Sequence, residues 1–237
     1  MFNLSDIIKR GGDFMKIKKI LITLLVFTCV FMLTACKKEA KKEESKTDYM
    51  VLVNKQNKLP EDWESRIELV DVYTGLDETY KLEKKTAEAY EKLREDCFKD
   101  HIIIELDSTY RTVKRQQEIW DEFEKEKGLE YAQKYVAVPG TSEHHTGLVV
   151  DVKIVKNGEI IQDNDEMSAE TEIFSKVHAK LAKYGFILRY PVGKEDITGY
   201  GAEVWHFRYI DSPEIAKEIM DKGITFEEYL ESHKKND

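Results

Sequence analysis

The sequence predicts an α+β domain: a small antiparallel sheet flanked by helices. Three observations carry that expectation. Short runs of strand character recur at 50–53, 67–70, 102–106, 148–155 and 204–210. Stretches with helical spacing of apolar residues fall at 82–98, 113–123, 129–135, 172–184, 213–220 and 226–233. The two kinds do not alternate one for one, as a regular parallel βαβ sheet would require.

Each element has a local reason. In 82–98, Leu82, Ala87, Ala89, Tyr90, Leu93 and Cys97 recur at the period of one helix face. Ile102-Ile103-Ile104-Glu105-Leu106 is an apolar run of buried-strand length. The helix at 113–123 carries Trp120, expected in the core together with Trp63. The segment 148–155 alternates as a strand, with Asp151 and Lys153 on one side. The amphipathic stretch 172–184 stops at Gly185, as a C-terminal glycine cap would stop it, and His178 at its centre reads as structural. Trp205 and Tyr209 read as packing residues around a site. No internal repeat is present.

The amino terminus reads as a targeting segment rather than fold. Lys16, Lys18 and Lys19 precede an uncharged apolar run at 20–35, too short to span a bilayer comfortably. Leu33-Thr34-Ala35-Cys36 resembles a bacterial lipobox, so Cys36 is expected to carry lipid; an ordinary secretory peptide or an uncleaved anchor are the alternatives. Met15 reads as a conventional start, which makes 1–14 a translated leader ahead of a signal peptide ending at 35. Residues 36–48 are charged and lack large apolar side chains, as expected of a solvated tether between a membrane and a domain at 49–237. The expected location is the outer face of a bacterial membrane. Of three cysteines, only Cys97 lies in that domain, so no internal disulfide is expected and Cys97 reads as a small core hydrophobe. The net charge of −9 argues against a nucleic-acid binder. A monomer is expected.

Chemistry concentrates in two stretches. Ser142-Glu143-His144-His145-Thr146-Gly147 leads to Asp151, and Glu203-Val204-Trp205-His206 follows some fifty residues later. Two imidazoles and a carboxylate suit a catalytic zinc whose fourth position is left for water, and the remaining glutamate suits the base that deprotonates it. Strands presenting these groups from opposite sides of a cleft would close the shell. The spacing also occurs by chance, and lone histidines are usually surface or core residues. His145 reads either as a neighbour of the ligands or as a solvent-facing loop residue.

Further motifs sharpen this. Ser142-x-His144-x-x-Gly147-x-x-x-Asp151 and Glu203-x-Trp205-His206-x-Arg208-Tyr209 resemble the signature of VanY-type D-alanyl-D-alanine carboxypeptidases. Leu52-Val53-Asn54-Lys55 with Leu59-Pro60, Ser108-Thr109-Tyr110-Arg111-Thr112 with Gln116, Pro139-Gly140-Thr141, and 184–191 through Thr198-Gly199-Tyr200 resemble the same family in the same order. The resemblance implies the small hedgehog/D,D-peptidase type of α+β fold. It implies zinc on His144, Asp151 and His206, with Glu203 as general base. Arg111 is then expected to meet a substrate carboxylate or oxyanion, with Gln116 and Ser142 orienting the peptide. Three residues depart from the family pattern: Val149 for alanine, Ala202 for tyrosine and Val204 for proline. The last two are expected to remove an aromatic wall and to loosen the turn that aims Glu203. The implied activity is removal of a terminal D-alanine from peptidoglycan stem peptides. L,D-carboxypeptidase, bridge endopeptidase and non-catalytic wall-binding readings stay open; a cytoplasmic dipeptidase fits the export signal poorly, and a two-lobed transport protein needs more chain.

Overall fold

The computed structural model describes residues 47–234. The expected signal peptide, Cys36 and most of the expected tether lie outside the described residues. Thr47 is already packed, its hydroxyl donating to Arg66 O at 2.7 Å. The folded chain is therefore under way two residues before Tyr49.

An antiparallel hairpin, β1 (Leu69–Tyr73) and β2 (Thr79–Glu83), leads directly into α1 (Lys84–Lys99). The Glu83 carboxylate caps that helix by accepting from Thr86 N–H. Ala87, Tyr90, Leu93 and Cys97 form its buried face. The main sheet then assembles from β3 (Ile103–Ser108), β4 (Val149–Lys156), the short β5 (Glu159–Ile161), β6 (Phe186–Tyr190) and β7 (Glu203–Tyr209). Its order is β3-β4-β7-β6, with β5 on β4, and every pair is antiparallel. The expected α+β class and antiparallel sheet are what the chain forms.

Helices cover both faces. α2 (Val113–Lys127) and α3 (Leu129–Tyr135) follow β3; α4 (Asn164–Ala169) and α5 (Thr171–Leu181) lie between β5 and β6. The single turn α6 (Glu195–Thr198) precedes β7, and α7 (Pro213–Lys222) and α8 (Phe226–Lys234) follow it. Leu93 of α1, Ile104, Val152 and Phe207 of the sheet, and Phe174 and Val177 of α5 share one buried cluster. Ile187 points the other way, into a second cluster with Ile219 of α7 and Phe226 and Tyr229 of α8. Its neighbour Phe186 sits in the first cluster, so the period of two along β6 serves both faces. Each such side chain contributes about 1.5–3 kcal/mol by leaving water.

Two expectations fail for clear reasons. Residues 50–53 are not a strand: the Tyr49 and Val51 carbonyls accept from the Arg208 guanidinium at 3.0 and 2.9 Å instead of joining a ladder. Trp120 is not core: α2 buries only Gln116, and the Trp120 indole N–H donates to Glu124 on the half-exposed helix. Trp63 is buried as expected, donating to Thr146 O at 3.0 Å beneath the turn that carries His144.

Candidate active site

The register between β4 and β7 builds the centre. Asp151 lies directly opposite His206. The two are thus presented by adjacent strands of one sheet, not from opposite walls of a cleft. His144 comes from one turn of 3-10 helix, Glu143–Thr146, capped by the Ser142 hydroxyl, which accepts from His144 N–H at 3.3 Å. Gly147, at φ 70°, swings the chain out of that turn into β4. Glu203 opens β7. Residues three apart in a regular strand face opposite ways. Here the pairing of β6 with β7 shifts between Leu188 and Tyr190, and Glu203 Oε2 arrives 3.5 Å from His206 Nδ1.

Hydrogen-bond partners fix which nitrogen of each histidine is free. His144 Nδ1 lies 2.6 Å from Thr109 O and must donate there, leaving Nε2 bare at 3.1 Å from Asp151 Oδ2. His206 Nε2 lies 3.4 Å from Glu143 Oε2 and donates there, leaving Nδ1 at 2.8 Å from Asp151 Oδ1. That Oδ1 is buried and has no hydrogen-bond partner. Lone pairs facing lone pairs in a dry site are costly unless a cation sits between them, either a metal ion or, in its absence, a proton on His206 Nδ1. All three ligand atoms lie within 4.8 Å of one another. Atoms on a tetrahedral zinc shell of 2.0–2.2 Å radius would stand about 3.4 Å apart, so the cluster fits that ion.

The electrostatics agree. Burial, with Arg111 and His206 nearby, pushes the His144 pKa down to about 4, so the ring is neutral and able to ligate. Burial opposes ionisation of Asp151, but the two imidazoles hold it well below the usual carboxylate range. Burial also opposes charge on His206, yet Asp151, Glu143 and Glu203 raise its pKa to about 10. Positive charge is favoured where Nδ1 faces Asp151. Glu203 is pushed up to about 7 by burial and the Asp151 carboxylate, against the pull of His206 and Arg111. That places it in the range suited to moving a proton near neutral pH.

A cleft of about 280 Å³ opens over these groups. Arg111 enters it, donating to Gln116 Oε1 at 3.1 Å, with its second terminal nitrogen 3.9 Å from Asp151 Oδ2 and its buried Nε unpartnered. Such an arginine is set for an anion rather than spent in a surface pair. Ile119, Phe123 and Val136 give the cleft an apolar wall; Tyr190, Tyr200 and Trp205 give it an aromatic one.

A model of the VanY family, D-alanyl-D-alanine carboxypeptidase, matches residues 79–212. The putative carboxypeptidase YodJ of Bacillus subtilis is 38% identical over 190 residues, which span 78% of this chain and 68% of that protein. The chain belongs to the VanY family. The D-alanyl-D-alanine carboxypeptidase of Enterococcus faecalis is 34% identical over 194 residues, covering 78% of this chain and 66% of its own length. About a third of each relative therefore lies outside the match. Among solved structures, the LdcB LD-carboxypeptidase superposes with a TM-score of 0.68 at 36% identity, covering 79% of this chain and 88% of its own. A mutant of the vancomycin-resistance D,D-pentapeptidase VanY in complex with Zn(II) gives 0.65 at 31% identity, covering 77% and 98%.

As a VanY-family carboxypeptidase, the protein is a zinc peptidase. Among the described residues, His144, Asp151 and His206 are the cluster fitted to hold the metal. Members of several VanY-type motifs named from sequence line the cleft (Arg111 and Gln116; Ser142, His144 and Asp151; Tyr190 and Tyr200; Glu203, Trp205 and His206), whereas 52–55 does not. Of the two readings open for His145 the structure takes the first, a buried neighbour of the ligands: its Nδ1 lies 2.7 Å from Arg111 O and its Nε2 accepts from Gly140 N–H. With valine at 204 the strand still places Glu203 Oε2 3.5 Å from His206 Nδ1, and the Val204 carbonyl lies 2.8 Å from His178 Nε2. Tyr190 and Tyr200 supply the aromatic wall expected to be missing at Ala202, with the Tyr190 ring 4.8 Å from that of His206. Gln116 turns both of its polar atoms inward, to Arg111 and to Ala137 O, and so aims the arginine. Sequence reasoning passed over Glu143, Arg189 and Arg208, though all three lay inside quoted motifs. For Arg189 and Arg208, a charged residue within an otherwise apolar strand was the available signal.

Proposed function

We propose that the protein removes the C-terminal D-alanine from peptidoglycan stem peptides, as a D,D-carboxypeptidase. The placement of Arg111 carries this reading. Its guanidinium stands 3.9 Å from a metal-cluster oxygen, about one residue of extended chain. A peptide whose terminal carboxylate seats on Arg111 therefore brings its last peptide bond to His144, Asp151, His206 and Glu203. An internal bond would leave that guanidinium without a partner. Zinc, when bound, supplies a Lewis acid that acidifies water and polarises the scissile carbonyl. Glu203 takes the proton from the attacking water and returns it to the departing amine. Ser142, at the cleft floor, and the Arg111–Gln116 pair orient the terminal residue.

The relatives named as D-alanyl-D-alanine carboxypeptidases support this substrate, as does VanYB solved with D-alanine-D-alanine. The similarity to LdcB favours a second reading, L,D-carboxypeptidase action on a tetrapeptide. The apolar run ending at Cys36 supports placement on the outer membrane face through a lipid anchor, where stem peptides are found.

Mass spectrometry of synthetic stem pentapeptide and tetrapeptide after incubation with the zinc-loaded protein tests both readings. Loss of one D-alanine from the pentapeptide alone is expected; trimming of the tetrapeptide moves the enzyme to the L,D class. Glu203→Ala should keep zinc and lose roughly two to four orders of magnitude in rate. Full turnover by that variant would remove Glu203 from its role. No cleavage by zinc-loaded wild type would favour a peptide receptor.

A further inference from the structure

Beneath the metal cluster, starting from Glu143 at the edge of the cleft and leading away from it, lies a run of charged side chains to which the proposed reaction assigns no role. Glu143 is fully buried, one Oε atom accepting from Arg189 Nε at 2.8 Å and from Arg208 at 3.0 Å, the other facing His206 Nε2. Arg189, equally buried, turns its two terminal nitrogens to Glu227 of α8 at 2.8 and 2.6 Å. Glu227 in turn accepts from the Asn54 side-chain amide at 3.1 Å. The Asn54 side-chain oxygen closes the 54–57 turn by accepting from the Gln56 and Asn57 N–H groups. Two carboxylates and two guanidiniums thus form a neutral set, buried except for the partly exposed Glu227, that reaches from both ends of the domain to one ligand.

Stability alone is a weak reason for such a set. Buried ion pairs are often matched or bettered by apolar packing, whereas removing one member leaves an uncompensated charge. The end of the chain supplies a better reason. A ligating imidazole is oriented by what its second nitrogen donates to, and that partner raises its basicity. His206 donates to Glu143, whose position and charge depend on Arg189, and Arg189 is shared with Glu227.

We propose that the hydrogen-bonded chain Asn54–Glu227–Arg189–Glu143 is a positioning device for His206, with the partly exposed Glu227 on α8 as its outer control residue. This rests on the metal-centre reading above. Without the Glu227 charge, Arg189 has one counterion instead of two. Arg189 then draws Glu143 toward itself and away from His206, and a net positive charge is left behind the metal. The Leu52-Val53-Asn54-Lys55 motif, which does not line the cleft, gains a purpose as the anchor of Glu227.

Zinc affinity, measured by competition with a chromophoric chelator on the full-length protein, tests the proposal alongside the visible absorption of the cobalt-substituted protein. Glu227→Gln is expected to weaken zinc binding by about 10- to 100-fold, the usual consequence of losing a partner behind the ligands. It should also alter the cobalt spectrum. Tyr229→Leu removes packing from the same helix without touching the charged chain. It should lower the melting temperature and leave zinc affinity and cobalt spectrum as in wild type. Asn54→Ala, which keeps every charge, is the milder variant if Glu227→Gln does not fold, and should shift both metal readouts in the same direction. Wild-type affinity and spectrum in Glu227→Gln, or in Asn54→Ala where that variant serves, overturn the proposal. So do equal losses in Tyr229→Leu. A wild-type protein that binds no zinc overturns the metal reading itself, and the proposal with it.

Discussion

Arg111 shows how a single side chain decides between kinds of peptidase. Its carbonyl is held by His145, its N–H donates to His144 O, and its guanidinium is braced by Gln116. Three contacts fix the backbone and the head group, so little reorganisation remains when an anion arrives. Arg111→Lys keeps the charge and loses the planar fork. One charge-assisted hydrogen bond is worth about 1.5–3 kcal/mol, so kcat/KM should fall roughly 10- to 100-fold, mostly through KM. Steady-state kinetics on the pentapeptide checks this; unchanged kcat/KM would mean that the terminal carboxylate binds elsewhere. Arg111 was legible in sequence because its surrounding residues form a motif. Glu143 was not, because its partners Arg189, Arg208 and His206 are 46, 65 and 63 residues away and only the sheet brings them together.

At the scale of elements, the turn between Ser142 and β4 carries the most function per residue. Its geometry depends on Gly147, whose φ of 70° is strained for other residues and whose added Cβ would lie 3.1 Å from Leu69 Cδ2 and 3.2 Å from the Glu83 backbone nitrogen. Gly158 has a comparable φ of 84° with open space around it. Alanine at either position brings left-handed strain of about 1–2 kcal/mol, but only at Gly147 must neighbouring backbone move. Gly147→Ala should therefore melt lower than Gly158→Ala and also bind zinc more weakly, since the shifted turn carries His144. Calorimetry with a chelator competition reads both, and equal losses in the two variants would contradict this account. Helices with a clear apolar stripe, such as α1 and α5, were readable from spacing alone. β6 was not: Phe186–Tyr190 is a short run with a buried arginine, and its strand character comes from pairing with β7. The segment 50–53 misled for the converse reason. Its apolar residues imitate a strand, while its carbonyls serve Arg208.

For the molecule as a whole, metal and protons compete for the same groups, and that fixes how stability varies with pH. Burial disfavours the charge of Glu143, yet Arg189 and Arg208 hold its pKa well below the usual glutamate range. A depressed carboxylate contributes stability that is present above its unfolded pKa and lost as pH falls through the folded value. The metal-free protein should thus lose stability on acidification below about pH 4.5, where unfolded glutamates begin to bind protons. His206 runs the other way. Burial opposes its charge but the surrounding carboxylates raise its pKa, so its contribution is full at low pH and fades as pH rises toward about 10. Zinc must displace that proton, so its binding strengthens with pH. At a free concentration 1,000 times its dissociation constant, zinc adds about 4 kcal/mol, or roughly 8–16 °C in melting temperature for a domain of this size. The gain should be largest near pH 8 and shrink toward pH 5. Paired melting curves with zinc and with chelator across that range measure it. A gain independent of pH, or one that grows toward pH 5, would mean that no protonatable imidazole ligates the metal.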